Sequence, residues 1–156
     1  MKTTRYAIAL AALPLLFASA TATAVTCGTY SSRPADGGTQ SKVADATVVL
    51  FHNTTMVDSK DGGRFANLYG DCGGTVSVLP DNSMYTVGNC TVADASGDLV
   101  FYHFIRKRDE KRGSFFRNGG TGKFEKEFGQ GWFQQTAQDD NGATGEWGSD
   151  NAAFCK

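Results

Sequence analysis

The run at 119–133, Gly-Gly-Thr-Gly-Lys-Phe-Glu-Lys-Glu-Phe-Gly-Gln-Gly-Trp-Phe, constrains the fold of this chain more than any other stretch. Its five glycines exclude a stable helix, because each glycine in a helix interior costs about 1 kcal/mol relative to alanine. Glycine fits bulges, tight bends and backbone with positive φ. Glycines around short segments that carry Phe124, Phe128, Trp132 and Phe133 therefore indicate strands with sharp bends, as at the corners of a β-barrel.

Short segments suited to strands continue along the chain, and turn signals separate them. No window after Ala24 shows a helical period. The pattern predicts an all-β fold, a small antiparallel β-barrel of about eight strands, with a two-sheet β-sandwich as the alternative. The predicted strands are 46–52, 64–69, 74–79, 83–92, 99–106, 114–117, 122–128, 131–138 and 145–147.

Residues 1–24 have the pattern of a secretory signal peptide. Lys2 and Arg5 precede an apolar run at 7–17, which is shorter than the roughly 20 residues of a membrane-spanning helix. A membrane anchor is therefore the weaker alternative. We expect an N-terminal loop segment at 25–44, rich in Ser, Gly, Asp and Pro, and a single barrel domain at 45–156. The expected location is secreted or periplasmic, with no membrane contact after signal cleavage.

All four cysteines follow the signal segment, and an even number in an exported chain predicts two disulfides. The turn signal Pro-Asp-Asn at 80–82 centres a hairpin on residue 81, which places Cys72 opposite Cys90 at bridging distance. Cys27 and Cys155 then remain to join the two ends of the mature chain. A zinc site or a catalytic thiol is the alternative, but neither the spacing nor the compartment favours it, so no metal is expected.

Strand alternation predicts which side chains line the barrel interior. Val76, Val78, Met84 and Val92 share the face of the proposed Cys72–Cys90 bridge, so this face is expected inside.

For the next predicted strand, 99–106, the inward residues depend on its register against the preceding strand. Pairing of Ala93 with Asp98 would place four residues inside: Leu99, Phe101, His103 and Ile105. A shift of one residue would instead place Val100, Tyr102 and Phe104 inside, and this alternative stays open because both faces are apolar.

Under the first register His103 is the candidate catalytic residue, lying near Gly88 with room for its ring. Histidine suits general acid or base work near neutral pH. The alternative is a histidine that is hydrogen-bonded by a neighbour or exposed at a strand end. Tyr102 and Tyr85 are expected to assist as hydroxyl donors. The expected ligand-binding residues are Phe101, Met84, Arg106 and Tyr69.

Residues 106–112, Arg-Lys-Arg-Asp-Glu-Lys-Arg, form a conspicuous charge cluster. Such a segment is most often a solvated hairpin tip. Arginine also presents a planar fork that binds a carboxylate or phenolate, so the cluster could instead guard the barrel mouth. Loss of Lys2 and Arg5 changes the formal charge from −1 to −3, so the mature chain gives no reason to expect a nucleic-acid partner.

The run at 119–133 also resembles the corner sequence of the small antiparallel barrels shared by allene oxide cyclases, dirigent proteins and many secreted bacterial relatives. That pattern is Gly-Gly-Thr-Gly-Lys-(Phe/Tyr), a short strand, then Gly-x-Gly and an aromatic residue, and it aligns here without a gap. The resemblance extends over about 45–147, but only the corner is specific. Lys126 and Glu127 depart from it, because the family usually has a glycine and an aliphatic residue there.

The resemblance implies a barrel that holds a small apolar or aromatic molecule and shapes a reactive intermediate without a cofactor. No family catalytic residue carries over. The first functional hypothesis is thus an exported, cofactor-independent lyase or isomerase that works by acid/base chemistry and substrate shaping. The alternative is a non-catalytic exported barrel that binds a ligand or a partner. Homo-oligomers are also expected, since related barrels associate.

Overall fold

In the computed structural model of the protein, residues 24–35 and 38–156 are described; the predicted signal peptide, apart from Ala24, lies outside them. Nine strands form one antiparallel sheet in this part of the chain. Their bounds are β1 (Val25–Pro34), β2 (Thr39–Val43), β3 (Ala46–Ser59), β4 (Leu68–Val78), β5 (Met84–Ala93), β6 (Leu99–Lys107), β7 (Gly113–Gly120), β8 (Phe128–Asp139) and β9 (Gly142–Ser149). Two 3-10 helices, Gly122–Phe124 and Ala152–Cys155, complete the fold.

The sheet closes because β1 pairs with β9 on one side and with the second half of β3 on the other. Eight strands thus form a closed barrel, and β2 is an extra strand on the first half of β3. The prediction of an all-β antiparallel barrel of about eight strands is confirmed.

Both predicted disulfides are present. Cys72 lies opposite Cys90 in the β4–β5 register, as the turn at 80–82 predicts. The second bridge joins Cys27 to Cys155 across a sequence separation of 128 residues, against 18 for the first. If disulfides act mainly by restricting the unfolded chain, the longer loop contributes about 5 kcal/mol and the shorter about 3 kcal/mol.

The predicted N-terminal loop at 25–44 is wrong, because β1 and β2 occupy most of it. Tyr30 and Ser32 of β1 point into the barrel, while Thr29 and Ser31 point outward. The composition suggests a loop, yet pairing with β3 and β9 satisfies the backbone of this segment. The local sequence of β1, the strand that closes the barrel, is therefore only weakly typical of a strand.

Two other segments that were predicted as strands form turns that cover one end of the barrel. Residues 64–67 form a turn before β4, and the segment predicted as a strand at 122–128 is a 3-10 helix followed by a turn. Gly122 has φ +51, a left-handed conformation that favours glycine. These turns insert Phe65 and Phe124, which are fully buried and stack with ring centroids 5.6 Å apart.

Of the two registers considered for β6, the structure has the second, in which Val100, Tyr102 and Phe104 point inward. Ala93 pairs with Leu99 and not with Asp98, which adds one residue to the turn. The Asp94 carboxylate fixes this turn by accepting hydrogen bonds from the backbone N–H groups of Ser96 and Asp98. The inward side chains of β6 are consequently Val100, Tyr102, Phe104 and Arg106.

The barrel interior divides into two parts. One end, here termed the closed end, is filled by fully buried side chains and is covered by Phe154 and the Cys27–Cys155 bridge. The opposite part, here termed the open half, is lined by side chains that remain partly accessible. The largest fully buried side chains of the closed end are Phe65, Phe124, Leu68, Val92 and Val100.

Candidate functional site

Four aromatic rings line the open half and contact one another in series. The centroids of Tyr30 and Phe133 are 6.2 Å apart, those of Phe133 and Phe104 are 5.9 Å apart, and those of Phe104 and Phe51 are 6.3 Å apart. All four rings are partly buried. They form an apolar wall that a molecule entering from this end would contact.

Glycines on neighbouring strands make room for these rings. A Cβ at Gly88 would lie 2.6 Å from the Phe104 ring, and a Cβ at Gly145 would collide with the Tyr30 ring. The space at Gly88, which the sequence analysis assigned to His103, is therefore occupied by Phe104. Any larger residue at these two positions would displace the aromatic wall.

A polar group stands at the rim of the wall and consists of Tyr30, Arg106 and Gln135, here termed the mouth group. Arg106 Nη1 donates a hydrogen bond of 3.0 Å to Gln135 Oε1, and Gln135 Nε2 donates one of 2.7 Å to Gln138 Oε1. The Nε atom of Arg106 is buried and has no hydrogen-bond partner among the described residues. The side-chain acceptor of this guanidinium among the described residues is thus a neutral amide.

The Tyr30 phenol belongs to this group through its electrostatics. Burial raises the pKa of Tyr30 to about 12, and the positive charge of Arg106 opposes that rise. The phenol is therefore protonated at neutral pH and available as a donor.

A cavity of about 410 Å³ lies beside the mouth group. Arg106, Gln134 and Gln135 line it together with the β6–β7 turn, and the four aromatic rings lie outside its lining. This turn is the charge cluster of the sequence analysis. A second groove of about 410 Å³ lies on the outer face of β1, β3 and β9 and is lined by Met56, Asp58 and Glu146 among others.

The predicted site residues do not come together. His103 lies on the outer face of β6, is exposed, and has its ring 6.0 Å from that of Phe116. Phe101 shares that outer face, and Tyr69 and Tyr85 are exposed on the outer faces of β4 and β5. The outward direction of Tyr69 and Tyr85 follows from strand alternation, since each lies an odd number of residues from the inward Cys72 or Cys90. The expected position of Phe101 and His103 inside the barrel is wrong, because the β5–β6 turn is one residue longer than predicted. The roles of all four residues in binding or catalysis stay predictions.

Three predicted site residues do point inward, but at different levels of the barrel. Arg106 lies at the mouth, and Met84 lies near the same end at the start of β5. Tyr102 lies deeper, at the closed end, where burial raises its pKa to about 12.

Four residues of the site were not predicted from the sequence, namely Tyr30, Gln135, Phe51 and Phe133. Tyr30 lay in a segment predicted as a loop. The other three lay within predicted strands, and alternation from the known inward face would have indicated their direction only once the register across every hairpin was known.

The closed end contains a second arginine, Arg117, which is 3% exposed. Its guanidinium carbon lies 3.6 Å from the ring centroids of both Phe65 and Phe154, and its Nη1 lies 3.6 Å from Glu127 Oε2. Arg64 also pairs with Glu127. Desolvation lowers the pKa of Arg117 to about 10. These contacts assign Arg117 to closing the barrel end.

The described residues contain no group of three or more His, Cys, Asp or Glu side chains that could hold a metal ion. None of the helices in this part of the chain is long and apolar enough to cross a membrane.

The barrel resembles a solved structure, that of the pterocarpan synthase dirigent protein GePTS1. The TM-score is 0.50, the sequence identity is 14%, and the match covers 93% of this chain and 96% of that one. No family model matches the chain, and a search of curated proteins gives no match. At this identity the likeness concerns the fold alone. A dirigent-like barrel fold is thus confirmed, while the likeness to allene oxide cyclases stays a prediction.

Proposed function

We propose that the protein binds a small aromatic molecule in the open half of its barrel and holds it in a fixed orientation against the mouth group. The observation that carries this proposal is the set of four partly buried rings beside a few convergent polar groups. Small-molecule sites are typically apolar concave surfaces in which a few polar groups fix orientation. The dirigent-like fold supports a substrate-shaping or binding role.

The chemistry of the mouth group favours orientation and charge stabilisation of a bound molecule over proton transfer to or from it. Tyr30 is a donor with a pKa raised to about 12, and arginine does not act as a base near neutral pH. Both groups would stabilise negative charge that develops on an oxygen atom of a bound intermediate. A lyase or isomerase step of that kind fits the site better than catalysis by an imidazole, because His52 and His103 both lie on the outer face.

Export to an oxidising compartment belongs to the same proposal. The predicted signal peptide and the two disulfides support it, since disulfides persist mainly outside the cytosol.

The test is to block the open half. Thr86 lies opposite Arg106 and points inward, whereas Thr91 on the same strand points outward and is exposed. Calorimetric titration with neutral 2-naphthamide should give binding to the wild-type chain, at least tenfold weaker binding to Thr86→Phe, and unchanged binding to the control Thr91→Phe. Circular dichroism would verify the fold of each variant. Absence of wild-type binding, or equal binding to both variants, would contradict the proposal.

A further inference from the structure

The charge of Arg106 is not neutralised by any carboxylate within ion-pair distance in the described part of the chain. Its side chain bonds to the neutral amide of Gln135, and its Nε has no partner. The other buried arginine, Arg117, pairs with Glu127. The Nε of Arg117 also lacks a partner among the described residues, so the two arginines differ in the carboxylate alone. Because a partly buried cation is costly without an anion, the charge at the mouth is uncompensated in a way that the charge at the closed end is not.

The orientation of Arg106 is fixed by its neighbours. Gln138 accepts from Gln135, which directs the Gln135 carbonyl at Arg106. Tyr30 lies opposite Gly145, and Gly145 in turn pairs with Gln135, the hydrogen-bond partner of Arg106. The positively charged guanidinium and the phenol therefore offer an anion two kinds of donor beside one apolar wall. A carboxylate matches such an arrangement, since charge-assisted hydrogen bonds between a guanidinium and a carboxylate are stronger than neutral ones.

The rim of the cavity adds a weaker attraction for anions. Arg108 and Lys111 line it together with Asp109 and Glu110, and Glu110 pairs with Lys107 at 3.7 Å. One of the two rim carboxylates is thus already engaged.

We propose that the ligand of the open half is an aromatic carboxylate, whose carboxylate group pairs with Arg106 and Tyr30 while its ring packs on Phe104 and Phe133. The inference rests on the proposed function, because it requires the open half to be the binding site. It adds a charge requirement that the proposed function does not contain.

The experiment compares 2-naphthoate with 2-naphthamide, which have the same ring and differ in charge. Calorimetric titration of the wild-type chain should give naphthoate an affinity at least tenfold higher than naphthamide, as expected for a charge-assisted pair that replaces a neutral contact. Arg106→Gln should lower the affinity for naphthoate at least tenfold more than the affinity for naphthamide, and so abolish this preference. Arg106→Lys should recover part of the preference, because it restores the charge without the planar fork.

Arg112→Gln is the matched control. Arg112 belongs to the same charge cluster, but its guanidinium stacks on the Trp132 ring, 4.0 Å from the centroid, outside the cavity. Its loss should leave the preference for naphthoate unchanged. A preference that falls equally in Arg112→Gln and Arg106→Gln would reflect the general charge of the cluster and overturn the assignment of Arg106.

The failures of the two proposals are distinguishable. Equal binding of naphthoate and naphthamide to the wild-type chain would overturn the carboxylate inference and leave the aromatic site in place. Binding of neither probe would overturn both.

Discussion

The two ends of the barrel each contain an inward arginine, and the two arginines have different surroundings. Arg117 at the closed end lies between two aromatic rings and pairs with Glu127. Arg106 at the mouth bonds to a neutral amide and has no carboxylate within ion-pair distance among the described residues. The same residue type thus serves closure where its partners are supplied by the chain, and is available for recognition where they are not.

The aromatic rings of the two ends differ in the same way. Phe65 and Phe124 at the closed end are fully buried and stack on each other. Phe51, Phe104 and Phe133 in the open half are packed in series but remain partly accessible. The closed end therefore resembles a protein core, whereas the open half resembles a lined cleft.

The largest expected difference between the two ends is in the cost of deleting a ring. Phe124→Ala should lower the free energy of unfolding by about 3–5 kcal/mol, because it leaves a cavity in a fully buried cluster. Phe104→Ala should cost only about 1–2 kcal/mol, because its ring is partly exposed already. Urea unfolding of both variants measures this difference. Equal costs would show that the open half is packed as tightly as the closed end.

The tyrosines of the two ends allow a second comparison, through pH. Burial raises the pKa of both Tyr102 and Tyr30 to about 12 from the ordinary 10.0. The folded state then holds protons that the unfolded chain releases between pH 10 and 12. The stabilisation is full below pH 10 and is lost as the pH rises towards 12, by about 2–3 kcal/mol for Tyr102.

Tyr102→Phe should therefore flatten the fall of stability between pH 10 and 12, as measured by urea unfolding at successive pH values. Tyr30→Phe should flatten it as well, because the pKa of Tyr30 is raised to the same value. Arg117 contributes the opposite slope, since its lowered pKa of about 10 makes the folded state release a proton before the unfolded chain does. A profile of Tyr102→Phe that matched the wild type would contradict the assigned burial of this phenol.

The parts of this fold that were predictable from the sequence depend on short-range geometry. The turn at 80–82 fixes the pairing of Cys72 with Cys90, because both lie within one hairpin. The placement of His103 failed because it depends on the length of the next turn, which the Asp94 carboxylate extends by one residue. A single residue in a turn reverses every side chain of the strand that follows.

Tyr30 was not predicted as a site residue because its position depends on pairing between distant parts of the chain. Tyr30 enters the barrel because β1 pairs with β9, and Tyr30 lies opposite Gly145, far along the chain. Local composition contains no information about that partner. Arg106 was found because its charge cluster marks a hairpin tip whatever the register of the strands. Its inward direction, by contrast, follows only from the observed pairing of β5 with β6.

The smallest expected effect belongs to Arg106 itself, and its comparison with Arg117 decides how the two ends differ. Arg106→Met should change the free energy of unfolding by less than about 1 kcal/mol, or raise it, because it removes a partly buried charge that has no carboxylate partner. Arg117→Met should cost more, since it removes the contacts to Phe65 and Phe154 and the pair with Glu127. Thermal and urea unfolding of the two variants measure both changes. A large loss in Arg106→Met would mean that the mouth arginine stabilises the barrel as Arg117 does, and its uncompensated charge would then no longer indicate a ligand.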